Sequence, residues 1–123
     1  MKLLIDKNIP YQELFFGGLG MEIENFSDNS FNIGDINHDS IVIIRSTYST
    51  HGRPISSKIK LICSVSTGED HIDKSTLSRQ NIPIKFSTGA NAKAVKDYTI
   101  SCLALLLKLN LFQRKIDKIL VIG

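Results

Sequence analysis

The sequence predicts an α/β protein in which a parallel β-sheet carries helices on both faces. Short apolar runs recur along the 123 residues, at Lys2–Ile5, Ser40–Ile44, Lys60–Val65, Ile82–Phe86 and Lys118–Ile122, with a weaker one at Met21–Phe26. Most lack the alternation of a strand with one wet face, and continuous apolar runs are the mark of strands buried on both sides. Helical segments fall between the runs, so the order is βαβαβ.

Each element has its own justification. Lys2–Ile5 stops at Asp6, and Tyr11–Leu19 follows as a helix. Ser27–Asp39 and Ser46–Arg53 are polar and rich in Asn, Ser and Gly, and read as surface loops on either side of the Ser40–Ile44 strand. A poorly defined helical stretch is expected around Ser56, ahead of Lys60–Val65. A helix over Ile72–Gln80 leads to Ile82–Phe86. In the long helix Ala92–Leu109, residues Ile100, Leu103, Ala104, Leu106, Leu107 and Leu109 wrap most of the circumference, so it needs cover on more than one side. Lys118–Ile122 is a further strand, expected to be unpaired, exchanged with another copy or disordered. It ends at Gly123, and a strand reaching glycine is how a dinucleotide-binding turn begins, although one glycine is a weak sign.

Composition narrows the function. Apolar residues make up 42% and charged residues 22%, which suits a globular domain rather than a disordered chain. The net charge of +3 is scattered, with no basic block and no aromatics interleaved, which argues against nucleic acid as a partner. Leu103–Leu107, the longest apolar stretch, is far short of the roughly 18 residues of a membrane span. Asp6 and Lys7 interrupt Leu3-Leu4-Ile5 too early for a signal peptide. Cys63 and Cys102 lie inside apolar segments and are expected to be buried reduced thiols, which points to the cytoplasm.

Ligands of parallel sheets collect beyond the carboxyl ends of the strands. The residues there are Asp6-Lys7-Asn8, Arg45-Ser46-Thr47, Ser66-Thr67-Gly68-Glu69-Asp70 and Ser87-Thr88-Gly89-Ala90-Asn91. Ser66-Thr67-Gly68 suits an anion, with hydroxyls and backbone N–H groups as donors, and equally suits the cap of a helix starting near Asp70. Arg45 either adds a bidentate donor to that anion or forms a structural ion pair. Ser46 is a ligand donor or a turn residue. Asp70-His71-Ile72-Asp73 reads as capping at a helix start rather than as a metal or acid–base site. His38 and His51 lie in polar loops without a carboxylate at a telling spacing. No catalytic constellation and no metal-ligand set emerges. A phosphoacceptor receiver module would share the strand order and would match Asp6, Ser66 and Lys85, but it needs an aspartate where Arg45-Ser46 stands.

The segments Lys2–Tyr11, Ile44-Arg45-Ser46, Ser64–Asp73 and Gly89–Tyr98, at their intervals, resemble the opening third of the erythronate-4-phosphate dehydrogenase family, within the D-2-hydroxyacid dehydrogenases. The opening segment and the Gly89-Ala90-Asn91-Ala92 stretch are the more specific pieces. The resemblance implies a flavodoxin-like substrate domain over residues 1–109. It also implies a crossover and the first strand of a dinucleotide-binding (Rossmann) domain over 110–123, with Gly123 opening a glycine-rich loop for NAD. It further implies NAD-dependent oxidation of 4-phospho-D-erythronate, a phosphorylated 2-hydroxy acid, on the way to pyridoxal phosphate, by a cytoplasmic homodimer. Ser46 and Ser66 match substrate-contacting residues, and the amides near Thr67 and Gly68 would cradle the carboxylate. The hydride-transfer residues, an arginine, a glutamate and a histidine, match nothing in this chain, so the piece alone should be inactive. Ser66 replaces the usual threonine, Glu69 stands where a small residue is commoner, Asp97 shortens a glutamate, and Thr88 stands where proline is frequent. The other readings are a free-standing ligand-binding module without catalysis and a non-functional remnant of a dehydrogenase gene.

Overall fold

A computed structural model describes residues 1–28 and 30–109 of the chain. The expected strand Lys118–Ile122, and Gly123 with it, lie outside the described residues. The chain divides into two compact units, Met1–Thr88 and the segment from Gly89 onward.

The first unit is built on a five-stranded sheet of order β2-β1-β3-β4-β5. Its strands are β1 (Lys2–Asp6), β2 (Glu22–Phe26), β3 (Ser40–Ile44), β4 (Ile59–Ser64) and β5 (Ile84–Phe86), and every pairing is parallel. This is the flavodoxin-like order, with a switch point between β1 and β3. Side chains of successive strand residues point to opposite faces. Leu4, Val42, Ile44 and Ile62 therefore enter one buried cluster, and Leu3, Ile5 and Ile43 enter another. Both faces of the central strands are covered, which is why their sequences run apolar without alternation. Edge strand β2 (Glu22-Ile23-Glu24-Asn25-Phe26) buries only Phe26, and its weaker sequence signal has this cause.

Helices cover both faces. On the larger cluster lies α2 (Lys74–Arg79), through Leu77. Against the smaller one packs Phe16 of α1 (Gln12–Phe16), which tightens into a 3₁₀ turn over Gly17–Leu19. The entry to α1 is fixed by the Gln12 amide, whose Nε2 donates to the carbonyls of Asp6 (3.1 Å) and Ile9 (2.9 Å).

Two expectations fail in this unit. No helix forms around Ser56 among the described residues; β3 passes to β4 through turns and extended chain. The polar stretches are also not simple surface loops. Tyr48 is 1% exposed and Thr50 fully buried, and Ile33 of a 3₁₀ turn (Ile33–Asp35) is buried too. Tyr48 stacks edge-on to Phe26 and beside Phe31, and its hydroxyl accepts the Ile33 N–H at 3.1 Å. A buried aromatic with its polar end satisfied does here what a crossover helix would have done, filling the space over the sheet.

In the second unit, α3 (Ala92–Lys108) has the expected extent to within one residue. Cys63 and Cys102, expected to be buried, are each only partly so, and neither forms a disulfide. Burial raises the Cys63 thiol above its ordinary value, against the opposing charge of Lys85.

Candidate functional site

The carboxyl ends of β1, β3 and β4 bring together Asp6, Arg45, Ser46, Ser64, Ser66, Thr67 and Gly68. Asp6 closes β1 and is fully buried. Its Oδ1 accepts the Asn8 backbone N–H at 2.9 Å and the Asn8 amide at 3.2 Å, while Oδ2 receives Arg45 Nε at 2.5 Å. Burial pushes the Asp6 carboxyl up, but the Asn8 hydrogen bonds and the Arg45 guanidinium outweigh it and hold the group below its ordinary value. Of the two fates open to Arg45, the structure shows the ion pair. A second carboxylate, Asp28, lies 3.8 Å from Arg45 Nη2 and accepts the Thr47 hydroxyl at 2.5 Å. Arg45 Nε is thus occupied, and the guanidinium is held at the strand edge with its side chain 30% exposed.

The loops after β3 and β4 are tied directly. The Ser46 N–H donates to Ser66 Oγ at 2.7 Å. A serine hydroxyl has one proton and two lone pairs, so accepting Ser46 leaves the Ser66 proton free to be donated outward. The Thr67 and Gly68 N–H groups have no acceptor among the described residues, and both residues are exposed. Three donors without an acceptor among the described residues therefore lie on one short segment, a set of groups that suits a carboxylate or phosphate.

The capping alternative for Ser66-Thr67 is not what forms. The α2 cap is Asp73, whose carboxylate accepts the Thr76 N–H at 3.1 Å and the Ser75 hydroxyl at 2.6 Å. These bonds, with the Thr76 hydroxyl, depress its carboxyl strongly. The capping reading of the Asp70–Asp73 stretch thus holds at Asp73 but not at His71, which is buried with Nε2 3.0 Å from Ser64 Oγ. Glu69, the carboxylate next to this donor segment, is paired with Lys74, whose ammonium also lies 5.4 Å over the Phe86 ring. This ion pair sets a positive charge against the Glu69 carboxylate.

In the sequence Asp6 reads as a strand-end residue with no visible link to Arg45, and Ser64 and Thr50 carry no assignment. The only available signal was an aspartate directly after an apolar strand. No group of three or more His, Cys, Asp or Glu side chains among the described residues is placed to hold a metal, and no helix among them is long and apolar enough to cross a membrane.

No family model matches the chain. Curated proteins named erythronate-4-phosphate dehydrogenase do match it. The protein from Photorhabdus laumondii subsp. laumondii is 30% identical over 100% of the chain and 33% of its own length. That from Salmonella arizonae is 28% identical over 100% of the chain and 32% of its own length. The protein from Shewanella violacea is 33% identical over 80% of the chain and 26% of its own length. The resemblance read from the motifs is therefore borne out across the whole chain, which spans about a quarter to a third of these relatives.

Proposed function

We propose that this chain is the substrate-binding part of an NAD-dependent erythronate-4-phosphate dehydrogenase, residues 1–109 forming the substrate domain and 110–123 leading into an NAD domain. In this reading the complete protein oxidises 4-phospho-D-erythronate to the 2-oxo acid for pyridoxal phosphate synthesis, as a cytoplasmic homodimer. The 123-residue chain alone binds the acid weakly and transfers no hydride. The observation that carries the reading is the free donor set at the β4 edge, Ser66 O–H with the Thr67 and Gly68 N–H groups, beside an arginine fixed by a buried carboxylate.

The chemistry assigned to these residues is binding and orientation. The substrate carboxylate accepts from Ser66, Thr67 and Gly68. The Ser46 hydroxyl and the free N–H groups of Arg45 add donors on the β3 side. Asp6 keeps Arg45 from folding over the anion, because Nε is already engaged. Bound in the complete protein, NAD supplies the hydride acceptor. Gly123, the one residue tied to it, lies outside the described residues, and the positive-φ glycines Gly20, Gly52 and Gly89 stand in separate turns rather than in one cradle. The described residues do not fit a dinucleotide.

Calorimetric titration of the chain tests the proposal. Saturable binding of 4-phospho-D-erythronate, lost on Ser66→Ala, with no heat from NAD, is the expected result. Equal indifference to both compounds would overturn the substrate assignment, and tight NAD binding would overturn the division of labour between domains.

A further inference from the structure

His71 is 6% exposed in the turn between β4 and α2, and it touches both loops of the candidate site. Its Nε2 is 3.0 Å from Ser64 Oγ, and the same hydroxyl accepts the Ser66 backbone N–H at 3.3 Å. With Ser66 on one lone pair, Ser64 keeps one proton and one lone pair for Nε2, so it donates to the Nδ1–H tautomer of the ring and accepts from the Nε2–H tautomer. Nδ1 is buried and has no partner among the described residues; Asp70 Oδ1 is 4.0 Å away. On its backbone side, His71 offers its carbonyl to the Thr50 N–H at 2.9 Å and to the Thr50 hydroxyl at 3.5 Å. Thr50 Oγ1 in turn accepts the Asp73 N–H at 2.7 Å. One residue thus joins the loop after β3 to the loop after β4.

We propose that His71 is the positioning residue of this loop pair, setting the Ser66–Gly68 backbone through Ser64 Oγ. That the loop then receives an acid rests on the proposed function; that His71 sets the backbone does not. The reason is that one hydroxyl serves both the His71 ring and the Ser66 N–H. In the Nδ1–H tautomer a proton added at Nε2 turns that nitrogen from acceptor to donor, so the Ser64 hydroxyl must rotate its proton away and accept on its second lone pair, which realigns the oxygen that the Ser66 N–H shares. The titratable groups facing the ring are Asp70, whose charge favours the imidazolium, and His51, whose protonated form would oppose it. Burial is the largest effect and holds His71 below its ordinary value of 6.5.

The test is nuclear magnetic resonance on the full chain, following the His71 ring and the Ser66, Thr67 and Gly68 amides from about pH 8 to about pH 4, the range that brackets histidine titration. Wild-type amides are expected to share the His71 midpoint. In Ser64→Ala the ring still titrates and the amides no longer follow it. Amides that ignore the His71 midpoint, or that follow it unchanged in Ser64→Ala, would overturn the proposal. In parallel, Ser64→Ala and His71→Leu are expected to weaken 4-phospho-D-erythronate binding roughly tenfold, the worth of one hydrogen bond to a charged group. If wild-type amides follow His71 but the acid does not bind at all, the positioning role stands and the substrate assignment falls.

Discussion

Replacing Asp6 by asparagine probes the anchor of Arg45. Asp6→Asn keeps an acceptor for the Asn8 N–H but turns an amide NH₂ toward Arg45 Nε, so a contact of 2.5 Å becomes donor against donor. Breaking a buried ion pair from one side costs about 3–5 kcal/mol. Arg45 is 30% exposed and regains some hydration, which lowers the expected loss to about 2–3 kcal/mol, or a fall in Tm of about 6–12 °C for a domain of this size. The pH dependence has a definite sign. The folded Asp6 carboxyl sits below its ordinary value of 3.8, so its contribution is present above that value and is lost as pH falls through the folded one. Urea unfolding of wild type and variant at neutral pH and across the acid range measures both quantities. The gap between them should narrow below about pH 4, and Arg45→Met in the Asp6→Asn background should cost less than the two single changes summed. A variant within about 0.5 kcal/mol of wild type, or a gap that does not change with pH, would refute the anchoring role.

Other outcomes follow from single contacts. Tyr48→Phe leaves the buried Ile33 N–H without its 3.1 Å acceptor and should lower unfolding free energy by about 1–3 kcal/mol in urea titration. Glu69→Gln removes a carboxylate from the anion loop and releases Lys74; calorimetry should show acid binding strengthened several-fold, and weakened binding would contradict the electrostatic account. Asp73→Ala removes the α2 cap and should lower Tm at neutral pH. The deficit should fade in acid, because the contribution of a depressed carboxyl is full above its ordinary 3.8 and is lost as pH falls from there through the lower folded value.

What was legible in the sequence was mainly what is local. β1, β3 and β4 announced themselves because both of their faces are buried, and α3 because its apolar residues wrap most of the helix. Edge strand β2 was fainter, since Glu22 and Glu24 face solvent and pair with Lys2. The β3–β4 connection was misread because its order comes from distant partners: Tyr48 from the Ile33 N–H, and Thr50 from the His71 carbonyl. The same holds for the site. Ser46, Ser66, Thr67 and Gly68 were visible as small polar residues after apolar strands, but the pairing of Asp6 with Arg45 spans 39 positions and has no local pattern. His71 looked like part of a helix start because its neighbour Asp73 is one; its burial depends on Ser64 at the end of another element.

The most direct test of the central claim is to map 4-phospho-D-erythronate onto the chain by amide chemical-shift changes. The account predicts saturable shifts concentrated at Ser46, Ser66, Thr67 and Gly68 and at the Arg45 Nε–H, with little change around Phe31, Asn32, Asp35 and His38, which line a separate cavity. Shifts centred on that second cavity, or none at the β4 edge, would contradict it.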